Sequence, residues 1–172
     1  RHDAGGQAVL TEAYEARAAG HAERLLPMID ETLRRSGLAF RDIDRIAVTV
    51  GPGSFTGVRV GIAAARALAL ATGRPAVGMS SLDAMAHEAR RRLGPACEGR
   101  LLVVAVDARA GMVYVQLFEA EQEPGAPLLL EPRDAASRIG AKPALIVGSG
   151  AAAVAHAVAG FGGQTEVALL DL

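Results

Sequence analysis

An α/β fold made of two similar units with mixed sheets is the class this sequence predicts, with a single α+β domain as the alternative. Three observations carry it. The order hairpin, strand, helix, strand, helix occurs twice along the 172 residues. The apolar pattern switches between the alternation of strands and the three-and-four spacing of helices. Between the two series lies Gly94 to Gly99, which contains Gly94-Pro95 and places the units at residues 1–98 and 99–172. With 51% hydrophobic and 22% charged residues the chain is globular and able to bury a core.

In the first unit, His2 to Gln7 reads as a hairpin turn and Ala8 to Ala18, with Val9, Thr11 and Tyr14, as its returning arm. Residue 1 is Arg and residues 167–172 stop inside an apolar run, so both ends are expected to lack parts of the natural protein, including a first strand. His21 to Ser36 is predicted helical: Leu25, Leu26, Ile29 and Leu33 recur at three and four, charged residues fill the rest of the wheel, Pro27 falls in or near the first turn, and Gly37 stops it. A connector through Phe40 and Asp42 leads to a strand built on Ile46, Val48 and Val50 and closed by Gly51-Pro52. A glycine-rich loop follows, then a helix Gly57 to Thr72 ended by Gly73 and Pro75, and a strand Ala76 to Met79. Ser80 and Asp83 have capping-box spacing before a helix Leu82 to Leu93, whose last turn holds Arg90, Arg91 and Arg92, cations suited to a helix C-terminus and to a solvated face rather than to an RNA contact.

The second unit opens with the continuous apolar strand Leu101 to Val106, the turn Asp107 to Gly111 and the arm Met112 to Phe118. After a polar loop, Glu119 to Pro127, come a strand Leu128 to Leu130, a helix Arg133 to Ile139, a strand Ala144 to Val147, and Gly148-Ser149-Gly150 opening an alanine-rich helix.

A formal net charge of −1 gives no overall basic footprint, and aromatics at 3% without tryptophan supply no stacking platform, so strong nucleic-acid binding by this chain alone is disfavoured. Cys97 is the single cysteine, which rules out an intrachain disulfide and a cysteine zinc site and fits a reducing cytosol. The weakly polar stretch Val58 to Thr72 carries Arg59 and Arg66 and reads as too short to span a bilayer.

Two features bear on function. Gly51, Gly53, Ser54, Thr56 and Gly57 sit between a strand and a helix, where unpaired amides attract phosphate or carboxylate; an ordinary glycine turn explains them as well. No Lys-Ser or Lys-Thr follows, so this is not a Walker A loop, and Thr56 stands where a dinucleotide fingerprint needs its third glycine. Gly57, Gly61 and Ala65 form a small-residue stripe, which suits close packing on the unit's own sheet or against a partner helix.

HAERLLPMIDETL, then VTVGPGSFTGVRVGIAAARALALATGRPAVGMSSLDAMA, then VDARAGMVYVQLF and IVGSGA resemble, in that order, the bacterial TsaB family, also called YeaZ. The resemblance implies two ribonuclease H-like lobes of the actin, Hsp70 and sugar-kinase type. It also implies a non-catalytic subunit in forming N6-threonylcarbamoyladenosine at position 37 of tRNAs reading ANN codons, paired with the catalytic subunit TsaD and joined by the ATPase TsaE. In the catalytic paralogue two histidines one helical turn apart are able to share a metal. Setting that motif on this chain puts Ser81 and Met85 there, and neither replaces imidazole.

The partner surface expected is therefore Leu25, Leu26, Ile29 and Leu33 on one helix and Gly57, Gly61 and Ala65 on the next. No catalytic residue, metal ligand or resident cofactor is expected, although a nucleotide is compatible with the complex. The isolated protein is expected to be a homodimer in the cytoplasm, off the membrane, touching tRNA only through the complex. The alternatives are an ATP-using enzyme of the actin-like fold with the glycine loop on phosphate, and, last, a metallopeptidase.

Overall fold

The computed structural model describes residues 10–16, 20–120, 122–161 and 165–168. These fall into two compact units, residues 1–48 with 55–78, and residues 49–54 with 79–172. The boundary read from the sequence at 98/99 differs from this division because the helix after Ser80 packs with the second sheet.

The first unit holds α1 (His21–Arg35), α2 (Phe55–Thr72) and, except for the last residue of each, β1 (Ile46–Thr49) and β2 (Ala76–Met79), with β1 paired to β2. Pro27 lies in the second turn of α1, later than expected. α2 starts two residues early, so Thr56 and Gly57 are helical. At 18 residues and mean hydropathy 1.3, α2 is long and apolar enough to cross a membrane by length and composition, which corrects the expectation that it is too short. Arg66 near its centre would cost about 3 kcal/mol at the middle of a bilayer. The hairpin turn at 2–7 lies outside the described residues; of its returning arm, residues 10–16 are described and form no strand. An extended segment needs a partner for its backbone to become one.

The second unit is a five-stranded mixed sheet in the order β5-β4-β3-β6-β7, formed by β3 (Leu101–Asp107), β4 (Val113–Phe118), β5 (Leu128–Leu130), β6 (Ala144–Val147) and β7 (Thr165–Val167). β3 runs antiparallel to β4 and parallel to β6, with Val103 opposite Leu117 and Ile146. Its unbroken apolar run follows from burial on both faces. Leu101, Val103 and Ala105 join Ala144 and Ile146 in a core closed by α4 (Pro132–Ile139) and α5 (Ala151–Ala159). Leu102 and Val104 point the other way and meet Leu145, Val147 and the apolar face Leu82, Ala86 and Ala89 of α3 (Ser81–Leu93). That period of two divides one strand between two cores.

Gly148 and Gly150 let the loop after β6 close against the end of β3. Gly148 has φ +100, and a Cβ there would lie 2.3 Å from the Ala105 carbonyl oxygen. The Gly150 amide donates to that same oxygen at 3.0 Å, and the Asp107 amide donates to Ser149 Oγ at 3.0 Å. This second glycine loop is spent on internal packing.

Candidate functional site

α1 is amphipathic yet buries no residue, and α2 buries only Ala65, which is 5% exposed. Between the two helices runs an apolar groove of about 240 Å³, floored by Leu25, Met28, Gly57, Val60 and Gly61 and rimmed by Glu15, His21 and Arg24. Gly57 and Gly61 contribute backbone and no side chain to its floor. Gly61 also faces its own sheet, where a Cβ would meet Val48 Cγ2 at 3.5 Å.

The residues expected to face a partner therefore separate. Leu25, Gly57 and Gly61 meet in this groove. Leu26 is 47% exposed and outside it, Ile29 is half-buried, and Leu33 lines a second depression with Leu10, Thr11 and Leu38. Ala65 is buried, at 5% exposure, which removes it from a partner surface. Met28 and Val60 were not anticipated; each stands three residues after an expected member, Leu25 or Gly57, and that spacing is the signal that marks them.

Arg24 fixes the rim. Its guanidinium donates to both Glu31 carboxylate oxygens at 2.9 and 2.8 Å and to Glu15 at 2.6 Å. Those bonds raise the arginine's affinity for its proton, and Arg24 holds the Glu31 carboxyl below the usual range.

The glycine loop is anchored at its first residue. Gly51 has φ 107, precedes a cis peptide bond to Pro52, and its carbonyl accepts from the Ser81 amide at 2.8 Å, so it ties the loop to the start of α3. Gly51, Gly53 and Ser54 belong to the second unit, whereas Thr56 and Gly57 open α2 in the first. The five residues of the expected anion loop thus do not share one unit.

At the start of α3, Ser80 Oγ accepts from the amides of Leu82 at 3.2 Å and Asp83 at 3.4 Å, the cap its sequence announces. Asp83 accepts from the buried Gln116 amide at 2.9 Å. Ser81 takes the first helical position, and Met85, one turn on, packs against the core of Leu82, Leu102 and Val147. Met85 Cε lies 3.3 Å from where a Gly148 Cβ would be, so this side chain fills space between α3 and the loop after β6. Among the described residues no three or more His, Cys, Asp or Glu converge where a metal ion could be held.

The family model described as TsaD, tRNA N6-adenosine threonylcarbamoyltransferase, matches residues 14–152. The tRNA threonylcarbamoyladenosine biosynthesis protein TsaB of Escherichia coli is 41% identical over 102 residues, covering 59% of this chain and 42% of the relative. Its namesake from Haemophilus influenzae is 45% identical over 94 residues, 55% of this chain and 38% of the relative. The chain thus spans 42% and 38% of the lengths of these two curated relatives. The solved structure of YeaZ from Pseudomonas aeruginosa aligns with TM-score 0.67 and 35% identity, over 78% of this chain and 63% of that one. That likeness bears out the α/β, ribonuclease H-like fold class. With the matched span, the relatives and the fold in agreement, this chain belongs to the TsaB (YeaZ) family.

Proposed function

We propose that the chain is part of a non-catalytic subunit of tRNA threonylcarbamoyladenosine biosynthesis, which binds and stabilises a TsaD-type catalytic subunit acting at position 37 of tRNAs reading ANN codons. The observation that carries this reading is the uncovered helix pair: an 18-residue apolar α2 with one buried residue, beside an α1 with none. Apolar surface left in water costs about 25 cal/mol per Å², so such a face favours a cover. The groove of Leu25, Met28, Val60 and Gly61 offers a partner helix an apolar floor with charged edges.

The non-catalytic part of the reading is supported by Ser81 and Met85, a cap-adjacent serine and a packing methionine where the catalytic paralogue has imidazoles. A TsaE-type ATPase joins the same complex, the subunit pairs with itself when the catalytic subunit is absent, and tRNA and any nucleotide are met through the complex in the cytoplasm.

Reconstitution tests this. Full-length protein, mixed with TsaD-type and TsaE-type subunits, tRNA and threonylcarbamoyl adenylate, is expected to raise tRNA modification severalfold while transferring nothing alone. Transfer, or steady ATP turnover, by the full-length protein alone contradicts the proposal.

A further inference from the structure

Among the described residues Gln116 is the single buried polar side chain, at 4% exposure. It stands on β4 opposite Val104 and between Tyr114 and Phe118, so it leaves the sheet on the face that α3 covers. Its amide joins three elements. Nε2 donates to Asp83 Oδ1 in the first turn of α3 at 2.9 Å, and to the Gly125 carbonyl in the loop after β4 at 2.9 Å. Both amide hydrogens are then spent. Turning the amide over would set its oxygen against those two oxygens, so the partners fix its orientation. Oε1 is left buried without a donor, the one side-chain atom in that state among the described residues. The Asp83 carboxylate bonds through Oδ1 alone among them, which leaves Oδ2 as a second acceptor without a hydrogen.

We propose that Gln116 Oε1 accepts a hydrogen bond from an internal water molecule beneath the loop at residues 119–127, with Asp83 Oδ2 as that water's second acceptor. A buried amide oxygen without a donor forfeits the bond it made to solvent in the unfolded chain, and native folds leave few such atoms. The ligand must be a donor, because both atoms offered are oxygens and one belongs to a carboxylate, which excludes an anion. One carboxylate and one amide oxygen are too few for a divalent cation such as calcium, which takes roughly six to eight oxygens. Water is small and carries two hydrogens, one for each oxygen, and internal waters are held by roughly two to four polar groups. The site matters to what surrounds it. The same first turn of α3 carries the Ser81 amide that donates to the Gly51 carbonyl at 2.8 Å, and the base of the loop is held by Lys142 Nζ on Glu119 at 2.7 Å. Gln116 and its water thus join α3, β4 and the following loop in one hydrogen-bonded junction, independently of any partner subunit.

A high-resolution crystal structure of the full-length protein tests the site directly. An ordered water is expected within about 3.2 Å of both Gln116 Oε1 and Asp83 Oδ2. A dry Oε1, an Oε1 bonded to a protein donor, or an amide turned so that Nε2 leaves Asp83 overturns the proposal. The junction is tested in solution with Gln116→Met, which keeps the length of the side chain and removes its polar atoms. Folded Gln116→Met protein is expected to be cut after Glu123 by a glutamate-specific protease severalfold faster than wild type, because Gly125 has lost its donor. If that variant does not fold, Gln116→Glu keeps an acceptor oxygen, lacks the amide hydrogens and reads the same release of the loop. Cleavage at the wild-type rate in a folded variant would show that Gln116 does not hold the loop, and overturns the junction.

Discussion

Gly61 faces Val48 across its own unit, with 3.5 Å between the place of a Cβ and the valine Cγ2. That distance is ordinary van der Waals contact, so one methyl fits and a larger side chain does not. Gly61→Ala is therefore expected to fold and to gain about 0.5–1 kcal/mol from the helix preference of alanine. Thermal unfolding of full-length protein checks this; a lower midpoint would show that the helix sits closer to β1 than described.

Gly148 gives the contrasting case. A Cβ there meets the Ala105 carbonyl oxygen at 2.3 Å, and φ +100 is a conformation that side chains resist. Gly148→Ala is expected to cost about 3 kcal/mol or more, read as a drop in the urea midpoint. A cost under about 1 kcal/mol would mean that the loop after β6 moves away from β3 freely.

Ser80 is a helix cap with two amide donors. Ser80→Ala is expected to lose about 1 kcal/mol and Ser80→Asp to recover most of it. Equal losses in both variants would point to a role for the hydroxyl other than accepting those bonds.

Glu88 supplies a pH dependence. Hydrogen bonds from Arg91 and Arg92 push its carboxyl down to about 2 from the ordinary 4.5. A lowered folded pKa means stability that is present above pH 4.5 and lost as the pH falls toward 2. Glu88→Gln should be less stable than wild type at pH 6, with the gap narrowing steadily below pH 4.5. A gap that stays constant down to pH 3 would place the effect in packing and not in charge.

Much of the second unit was legible because its residues leave little choice. Leu101 to Val106 and Ala144 to Val147 are unbroken apolar runs, and such short runs between glycines become strands covered on both faces. Ser80 announced its helix. What local pattern did not carry was which sheet a helix covers: Leu82, Ala86 and Ala89 make an apolar face, but only the fold shows them resting on Leu102 and Val104. β7 was missed since Thr165 to Val167 is three residues long and follows Gly162-Gly163. The site was half legible. Leu25, Gly57 and Gly61 meet as expected, whereas Ala65 continues the four-residue spacing of Gly57 and Gly61 and yet is buried, which spacing alone does not distinguish.

The central claim is that the groove between α1 and α2 receives the catalytic subunit. Leu25 and Val60 line it without being deeply buried, so Leu25→Glu with Val60→Glu alters the surface more than the fold. The decisive measurement is the Kd of full-length protein for its TsaD-type subunit, by calorimetry, with circular dichroism confirming the fold. We expect the double variant to bind at least tenfold more weakly, with modification of tRNA falling in step. Affinity equal to wild type in a folded variant would contradict the account.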